Sequence, residues 1–509
     1  MLSGVRARAP AGALVLGALA LAGLLAAPPA AAGSASPFRW RGVVQGQYGP
    51  QFSSAERMRL LRFEGRNGFN AYIHAPKDDP YQRLLWRDPY PAGAQQRFDA
   101  EISLAARLGI DWVPNVSPGI AAHAGPTERL PAGTAASAPL CFSCPEEVEA
   151  LLAKLEPFRR AGADTFMVSF DDVQRHFAAA IDGFVYGEGD LAYGRANGDL
   201  LTRLDTALRE RDPDARLLTV GADYAGTRAS DYLRGLRETL APGVEVMWTG
   251  PAIQARPFAA ADADAYGDLV GRAPVVWENW TTNDLIRRPG SPPTRIFLGP
   301  YRQSGGLAGH VRGFFFNPAN EAELNMLPFA TAAQWLRRPR AYRPRRAFLR
   351  AVRDLGGGEA ASLRAFAECS YSSTLLPRTE APTFERLAGK FLRGRGAGAA
   401  ARLRRELRLV LHARARLRGV RGLGRFLREA RPFLRSARLE ARSALLATTL
   451  LQSGRPSSDL RRRLRRSARR SARDPVETYG SRSRVFGLAS NRVDRYVERA
   501  LAIDRARRR

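Results

Sequence analysis

The chain has 509 residues, 79 Lys+Arg against 49 Asp+Glu, and a formal net charge of +30. That length exceeds a single ordinary core and accommodates two or more domains, one of them a barrel of roughly 250 residues or more. Three cysteines are too few for a disulfide scaffold, and no two of the histidines stand at a metal-ligating spacing, so neither a metal nor any other cofactor is expected.

In chain order, Arg6 and Arg8 precede an apolar run from Gly12 to Ala27, then Pro28, Pro29 and small residues to Gly33. This is the pattern of a signal peptide over 1–32, cleaved near Ala32, and it predicts a secreted or envelope-associated protein. An uncleaved anchor is the alternative, for which the run is short and ends in two prolines. Cys141 and Cys144 form a lone CxxC without a second pair, which is read as a local loop disulfide that leaves Cys369 free.

Eight β-rich runs recur between Trp40 and Trp335: Gly42–Val44, Ala71–His74, Trp112–Val116, Thr165–Phe170, Leu217–Val220, Val244–Thr249, Pro274–Glu278 and Gly313–Phe316. Nearly every intervening stretch is long enough for a crossover helix, with starts at Ser54-Ala55-Glu56 and at Cys144-Pro145-Glu146-Glu147. The expected fold is α/β, a (β/α)8 TIM barrel over 33–340, followed over 341–509 by an all-α domain rich in Leu, Ala and Arg. Residues 341–509 hold 43 Lys+Arg against 14 Asp+Glu, so they carry nearly all the excess charge. Such a region would attract an anionic polymer without reading sequence, and no specific nucleic acid is predicted. An arginine-rich solvated helical surface is the other reading of it, and the favoured one.

Working residues of such barrels stand at the C-terminal ends of the strands. Read in that way, the strands end in Gly46-Gln47-Tyr48-Gly49, Pro76-Lys77-Asp78-Asp79, Asp171-Asp172, Asp223-Tyr224, Trp248-Thr249-Gly250, Trp277-Glu278-Asn279 with Asp284 beyond, and Asn317-Pro318. Two adjacent carboxyls at the rim of a partly dry pocket repel, which predicts that one is pushed upward and stays protonated as an acid. A solvated turn or helix cap is the commoner use of Asp-Asp after a strand, so the pair gains meaning only from the other strand ends.

The segments Gly42–Gly49 (GVVQGQYG), Tyr72–Tyr81 (YIHAPKDDPY), Trp86–Pro91 (WRDPYP), Phe170–Val173 (FDDV), Trp248–Pro251 (WTGP), Ala273–Asn279 (APVVWEN), Asn283-Asp284, Phe297–Tyr301 (FLGPY) and Asn317-Pro318 together resemble the catalytic domain of glycoside hydrolase family 84. These are the β-N-acetylglucosaminidases that include protein O-GlcNAcases and some bacterial enzymes once described as hyaluronidases. The resemblance covers about residues 38–340. It implies a retaining exo-β-N-acetylglucosaminidase working by substrate-assisted catalysis through an oxazoline, with N-acetylglucosamine-containing glycans or glycoproteins as partners.

By position in the motifs, the resemblance makes Asp171 the residue that polarises the acetamido N–H and Asp172 the general acid and base. It places Tyr224 on the acetamido oxygen, Asp284 on the outer hydroxyls, Asn279 on the acetamido group or hydroxyls, and Lys77, Gly46 and Asn317 in the same grip. Trp277 would form a pocket wall and Thr249 would lie near the acetamido methyl. Where the family pattern carries Glu and Phe in the first-strand loop, this chain has Gln45 and Gln47. A non-catalytic glycan-binding or envelope protein with a polyanion-binding tail is the alternative function. Glu278 is the candidate nucleophile if an enzyme-bound intermediate formed instead.

Overall fold

A computed structural model describes residues 36–119, 130–131, 133–284, 294–482 and 488–509; the export-signal pattern lies outside the described residues. The eight strands are β1 (Trp40–Gln45), β2 (Ala71–His74), β3 (Asp111–Val116), β4 (Thr165–Ser169), β5 (Arg216–Val220), β6 (Glu245–Trp248), β7 (Val275–Glu278) and β8 (Gly313–Phe316). They pair in parallel, each with the next, and β8 closes on β1 through Trp40↔Gly313 and Val43↔Phe316. The expected closed barrel is present, with strand bounds within two residues of those read from the sequence.

Helices α1 (Ser54–Asn67), α2 (Ala92–Arg107), α3 (Pro145–Arg160), α4 (Ala180–Tyr186), α5 (Gly189–Arg211), α6 (Asp231–Thr239), α7 (Ala260–Val270) and α8 (Met326–Arg337) surround the strands. Local chemistry sets their starts. Ser53 and Glu56 exchange side-chain and backbone bonds as a capping box before α1, and Pro145 opens α3 above the acidic Glu146 and Glu147. Between β7 and β8 the described residues contain no α-helix.

Alternation divides the barrel residues into two apolar systems. Trp40, Val44, Ile73, Val113, Met167, Leu218, Met247, Val275 and Phe315 fill the lumen as one cluster. Their chain neighbours Val43, Tyr72, Phe166, Val168, Val246, Val276 and Phe314 belong to the cluster shared with the surrounding helices. Successive side chains on a strand face opposite sides, so the parity of a residue fixes which system it joins.

After the barrel come α9 (Pro344–Gly356), α10 (Ala360–Ala367), α11 (Pro382–Gly394), α12 (Ala397–Leu417), α13 (Gly424–Glu429), α14 (Arg431–Gln452), α15 (Ser458–Ala472) and α16 (Arg492–Ala506). Their apolar faces share a core that includes Phe348, Phe366, Phe391, Leu407 and Leu450, and also Ile296, Leu298 and Leu324 from the connections around β8 and Leu327 from α8. Polar joints follow the same seam. Arg295, from the β7–β8 connection, forms a buried ion pair with Glu380, and Glu429 accepts the backbone N–H groups of Glu323 and Leu324 at 2.8 and 3.2 Å. Residues 36–509 form one compact unit by their contacts, so the helical region is fastened to the barrel.

The run Arg461–Arg470 lies in α15. Cys141 and Cys144 are joined by a disulfide, and Cys369 is free and buried. Among the described residues no helix is long and apolar enough to cross a membrane.

Candidate active site

Lumen parity continues beyond the strand ends. Two residues after the lumen-facing Val44, Ala75, Met247, Trp277 and Phe315 stand Gly46, Lys77, Thr249, Asn279 and Asn317. On β4 the lumen-facing Ser169, whose hydroxyl donates to Asn115 Oδ1 at 2.6 Å, is likewise followed two residues later by Asp171. The barrel therefore presents a ring of polar groups at its C-terminal mouth, above an apolar floor.

Asp171 is 6% exposed and Lys77 3%; the Lys77 ammonium donates to Asp171 Oδ2. The second oxygen, Asp171 Oδ1, is buried with no hydrogen-bond partner among the described residues. A buried acceptor without a donor costs free energy, on the order of 1–3 kcal/mol, which makes this oxygen the natural receiver of a ligand N–H. Lys77 Nζ also lies 5.6 Å from the centre of the Trp277 ring.

Adjacent residues of a regular strand cannot share one site. Here β4 stops at Ser169, and Asp172 takes the left-handed backbone conformation with φ 58°, which short polar side chains tolerate better than others. The turn brings the Asp172 carboxylate to the solvent side of the pocket. Tyr48 OH donates to its Oδ2 and Tyr224 OH to its Oδ1, both at 2.8 Å.

Partial burial by itself would raise the Asp172 carboxyl, but the Lys77 ammonium, the two phenol hydroxyls and the Arg83 guanidinium outweigh it and hold the group below the usual carboxylate range. The expected upward push from carboxyl repulsion is therefore overturned for Asp172. Cations and donors from other strands dominate the contact between the two carboxyls. Desolvation first, and the Asp172 carboxylate second, raise both Tyr48 and Tyr224, so both phenols stay protonated as donors.

The remaining residues form the wall. Asn279 Oδ1 accepts the Trp277 indole N–H and the Asn317 amide, each at 2.9 Å, while its Nδ2 donates to the Ile253 carbonyl. Asn317 Oδ1 in turn accepts the Gly46 N–H at 3.1 Å. A Cβ on Gly46 would stand 2.2 Å from Trp277 Cζ2, so only glycine lets the indole lie across β1. Thr249 is bound to the Tyr224 loop, its N–H donating to the Tyr224 carbonyl at 2.8 Å. Asp284, half-buried, accepts the Tyr48 N–H at 2.8 Å. All ten residues singled out in the sequence thus join one network.

Two further participants have no role assigned from the sequence. Tyr48 ties Asp172 to Asp284, and the fully buried Arg83 has its guanidinium 5.8 Å from the Tyr48 ring centre. Parity carries the signal for Tyr48, which is two residues past Gly46. The altered first-strand positions divide. Gln45 faces the helix layer, where its amide oxygen accepts the Tyr72 hydroxyl, and Gln47 is buried with both amide atoms unpartnered.

Glu278 follows the lumen-facing Trp277 and so points outward, bonded to Tyr301 OH at 3.2 Å. Burial pushes its carboxyl up to about 7. It does not reach the lumen, which removes the geometric basis for a Glu278 nucleophile. Among the described residues no group of three His, Cys, Asp or Glu side chains is placed to hold a metal ion.

The family model described as beta-N-acetylglucosaminidase matches residues 41–368. Protein O-GlcNAcase of Rattus norvegicus and that of Mus musculus are each 31% identical over 317 residues, which is 61% of this chain and 31% of the relative. The chain thus spans about a third of the length of these curated relatives. Among solved structures, a mutant of Thermobaculum terrenum O-GlcNAc hydrolase matches with a TM-score of 0.74 at 25% identity, covering 93% of this chain and 96% of that one. A structure of CpGH84B matches with a TM-score of 0.74 at 22% identity, covering 91% and 77%, and supports the fold. The family match takes in more than half of the chain and every polar strand end of the barrel mouth, and the chain belongs to the β-N-acetylglucosaminidase family, glycoside hydrolase family 84.

Proposed function

We propose that the protein is an exported, retaining exo-β-N-acetylglucosaminidase that removes terminal N-acetyl-β-D-glucosamine from glycans or glycoproteins with the help of the sugar's own acetamido group. The observation that carries this reading is the orphaned, buried Asp171 Oδ1 facing a lumen whose other polar groups are occupied. Export rests on the N-terminal sequence alone.

In this reading the acetamido N–H docks on Asp171 Oδ1, and Lys77 keeps the other oxygen. The acetamido oxygen, made more nucleophilic, attacks the anomeric carbon as the glycosidic C–O bond breaks and the N–H proton passes to Asp171, giving an oxazoline. Asp172 gives its proton to the departing oxygen. Water then enters and Asp172 takes a proton from it, while Asp171 returns its proton to the nitrogen as the oxazoline reopens with the β-configuration restored.

Asp172 is held ionised in the free site, so it must gain its proton as substrate binds. Tyr224 supplies the means. If its hydroxyl turns from Asp172 to the acetamido oxygen, Asp172 loses one of the donors that lower it and rises toward an acid's range. Asp284, Asn279, Asn317, Gly46 and Trp277 would grip the rest of the terminal sugar, with Thr249 near the acetamido methyl.

The test is release of nitrophenol from 4-nitrophenyl N-acetyl-β-glucosaminide by the full chain and by Asp171→Asn and Asp172→Asn. A loss on the order of a hundredfold or more is expected in each variant. Substrates bearing one, two or three fluorines on the acetamido methyl should react progressively more slowly, because fluorine withdraws electrons from the attacking oxygen. A flat response across that series would overturn substrate assistance.

A further inference from the structure

The outer face of α15 is dense in arginine. Its apolar side is packed into the helical core, with Leu464 fully buried. Arg465, Arg466, Arg469, Arg470 and Arg473 line, together with Arg508 beyond α16, a groove of about 880 Å³. Neighbouring cations are matched: Arg461 and Arg508 pair with Asp504, and Arg462 with Asp459. Arg465, Arg466, Arg469, Arg470 and Arg473 form no ion pair among the described residues.

These cations also oppose one another. Arg461 and Arg465, Arg462 and Arg466, Arg465 and Arg469, Arg466 and Arg470, and Arg469 and the C-cap Arg473 stand four residues apart along α15, where like charges repel. A surface strained by its own charge gains stability from a counter-ion, and a groove along a helix suits an elongated one.

The groove's lining narrows the class of that ion. Among the described residues no aromatic side chain lines it, so they offer no platform for stacking nucleic-acid bases. The apolar face of α15 is used within the fold, so nothing remains for insertion into a lipid surface. Carboxylate or sulfate groups spaced along a sugar chain need neither, and guanidinium forks meet them bidentately.

We infer that the α15 groove binds an acidic linear polysaccharide, carboxylated or sulfated, and holds the protein on it. Resting on the hexosaminidase reading of the barrel, such a polymer would also raise the local concentration of N-acetylglucosaminide ends at the barrel mouth.

Fluorescence anisotropy of labelled oligogalacturonate and of labelled heparin fragments with the full chain tests this, the two probes separating carboxylate from sulfate. Changing Arg465, Arg466, Arg469 and Arg470 together to Gln should weaken binding of the preferred probe by roughly tenfold or more and flatten its salt dependence. The same change at the exposed Arg386, Arg393, Arg402 and Arg405, which removes equal charge, should weaken it less than about threefold by comparison. Equal losses in the two variants would overturn the groove. Displacement of the polysaccharide by single-stranded DNA or phosphatidylserine vesicles at lower charge concentration would overturn its occupant. The groove variant should melt no lower than the parent, since it removes repelling pairs, and should turn over the nitrophenyl substrate unchanged. Binding by a parent that shows no turnover would sink the hexosaminidase reading and leave the groove standing.

Discussion

The barrel mouth and the outer face of α15 are both built from charged side chains, yet they handle charge in opposite ways. At the mouth Lys77 and Asp171 are almost fully buried and face each other, because a charge taken out of water must be matched or neutralised. On α15 the arginines remain in solvent, where water and salt screen them, and no acid is required. Buried charge is therefore specific, with each partner fixed by geometry, whereas exposed charge is collective and depends on the number of cations. A site for one sugar needs the first kind, and a surface for a polymer needs the second.

The largest effect that would break this contrast lies at Lys77. Replacing it with Met should leave a buried carboxylate without its cation and cost on the order of 3–5 kcal/mol of stability, read by urea denaturation, with a fall in turnover as deep as that of Asp171→Asn. A loss below about 1 kcal/mol would mean the pair is effectively solvated. Gly46→Ala comes next. Its Cβ must displace the Trp277 indole, which should lower kcat/KM for the nitrophenyl substrate by tenfold or more and reduce Tm.

Glu278→Gln should act on stability and leave chemistry alone. The folded carboxyl titrates near 7 against 4.5 as the ordinary value, so the folded state binds the extra proton and stability falls as pH rises from about 4.5 through 7. Gln removes that loss, and the variant should gain up to about 3 kcal/mol over the parent at pH 8, less at pH 6, with kcat within about threefold. A hundredfold loss of kcat would restore Glu278 as a nucleophile. The smallest effect belongs to the tail, where raising salt from about 0.05 to 0.5 M should lift Tm by a few degrees through screening of self-repulsion.

Much of this architecture can be read in the sequence because period-two patterning survives in short strands. The strand runs locate the barrel, and the polar residues just past them locate the mouth, since both depend on local alternation. What escapes is set by long-range packing. The depressed Asp172 carboxyl depends on Lys77 and Tyr48, which arrive from β2 and β1 only once the barrel closes. Tyr48 reads as a strand-end residue and its parity matches Gly46, but its bond to Asp172 forms only in the closed barrel. Glu278 reads as a strand-end acid, and only the direction of its neighbour Trp277 shows that it faces the helices. The pairing of Glu429 with the segment before α8 spans more than a hundred residues and leaves no local trace.

Glu429 also bears on how such chains can be recombined. Its carboxylate supplies the acceptor for two backbone N–H groups next to Asn320, whose side chain holds the Tyr48 carbonyl at 2.8 Å. A barrel grafted onto a different partner at residue 340 would inherit those groups unsatisfied and Leu324 and Leu327 uncovered. Heredity would therefore pass on barrel and helices as one cassette. The 93% of this chain that aligns with Thermobaculum terrenum O-GlcNAc hydrolase fits that expectation, since it extends well past the last strand.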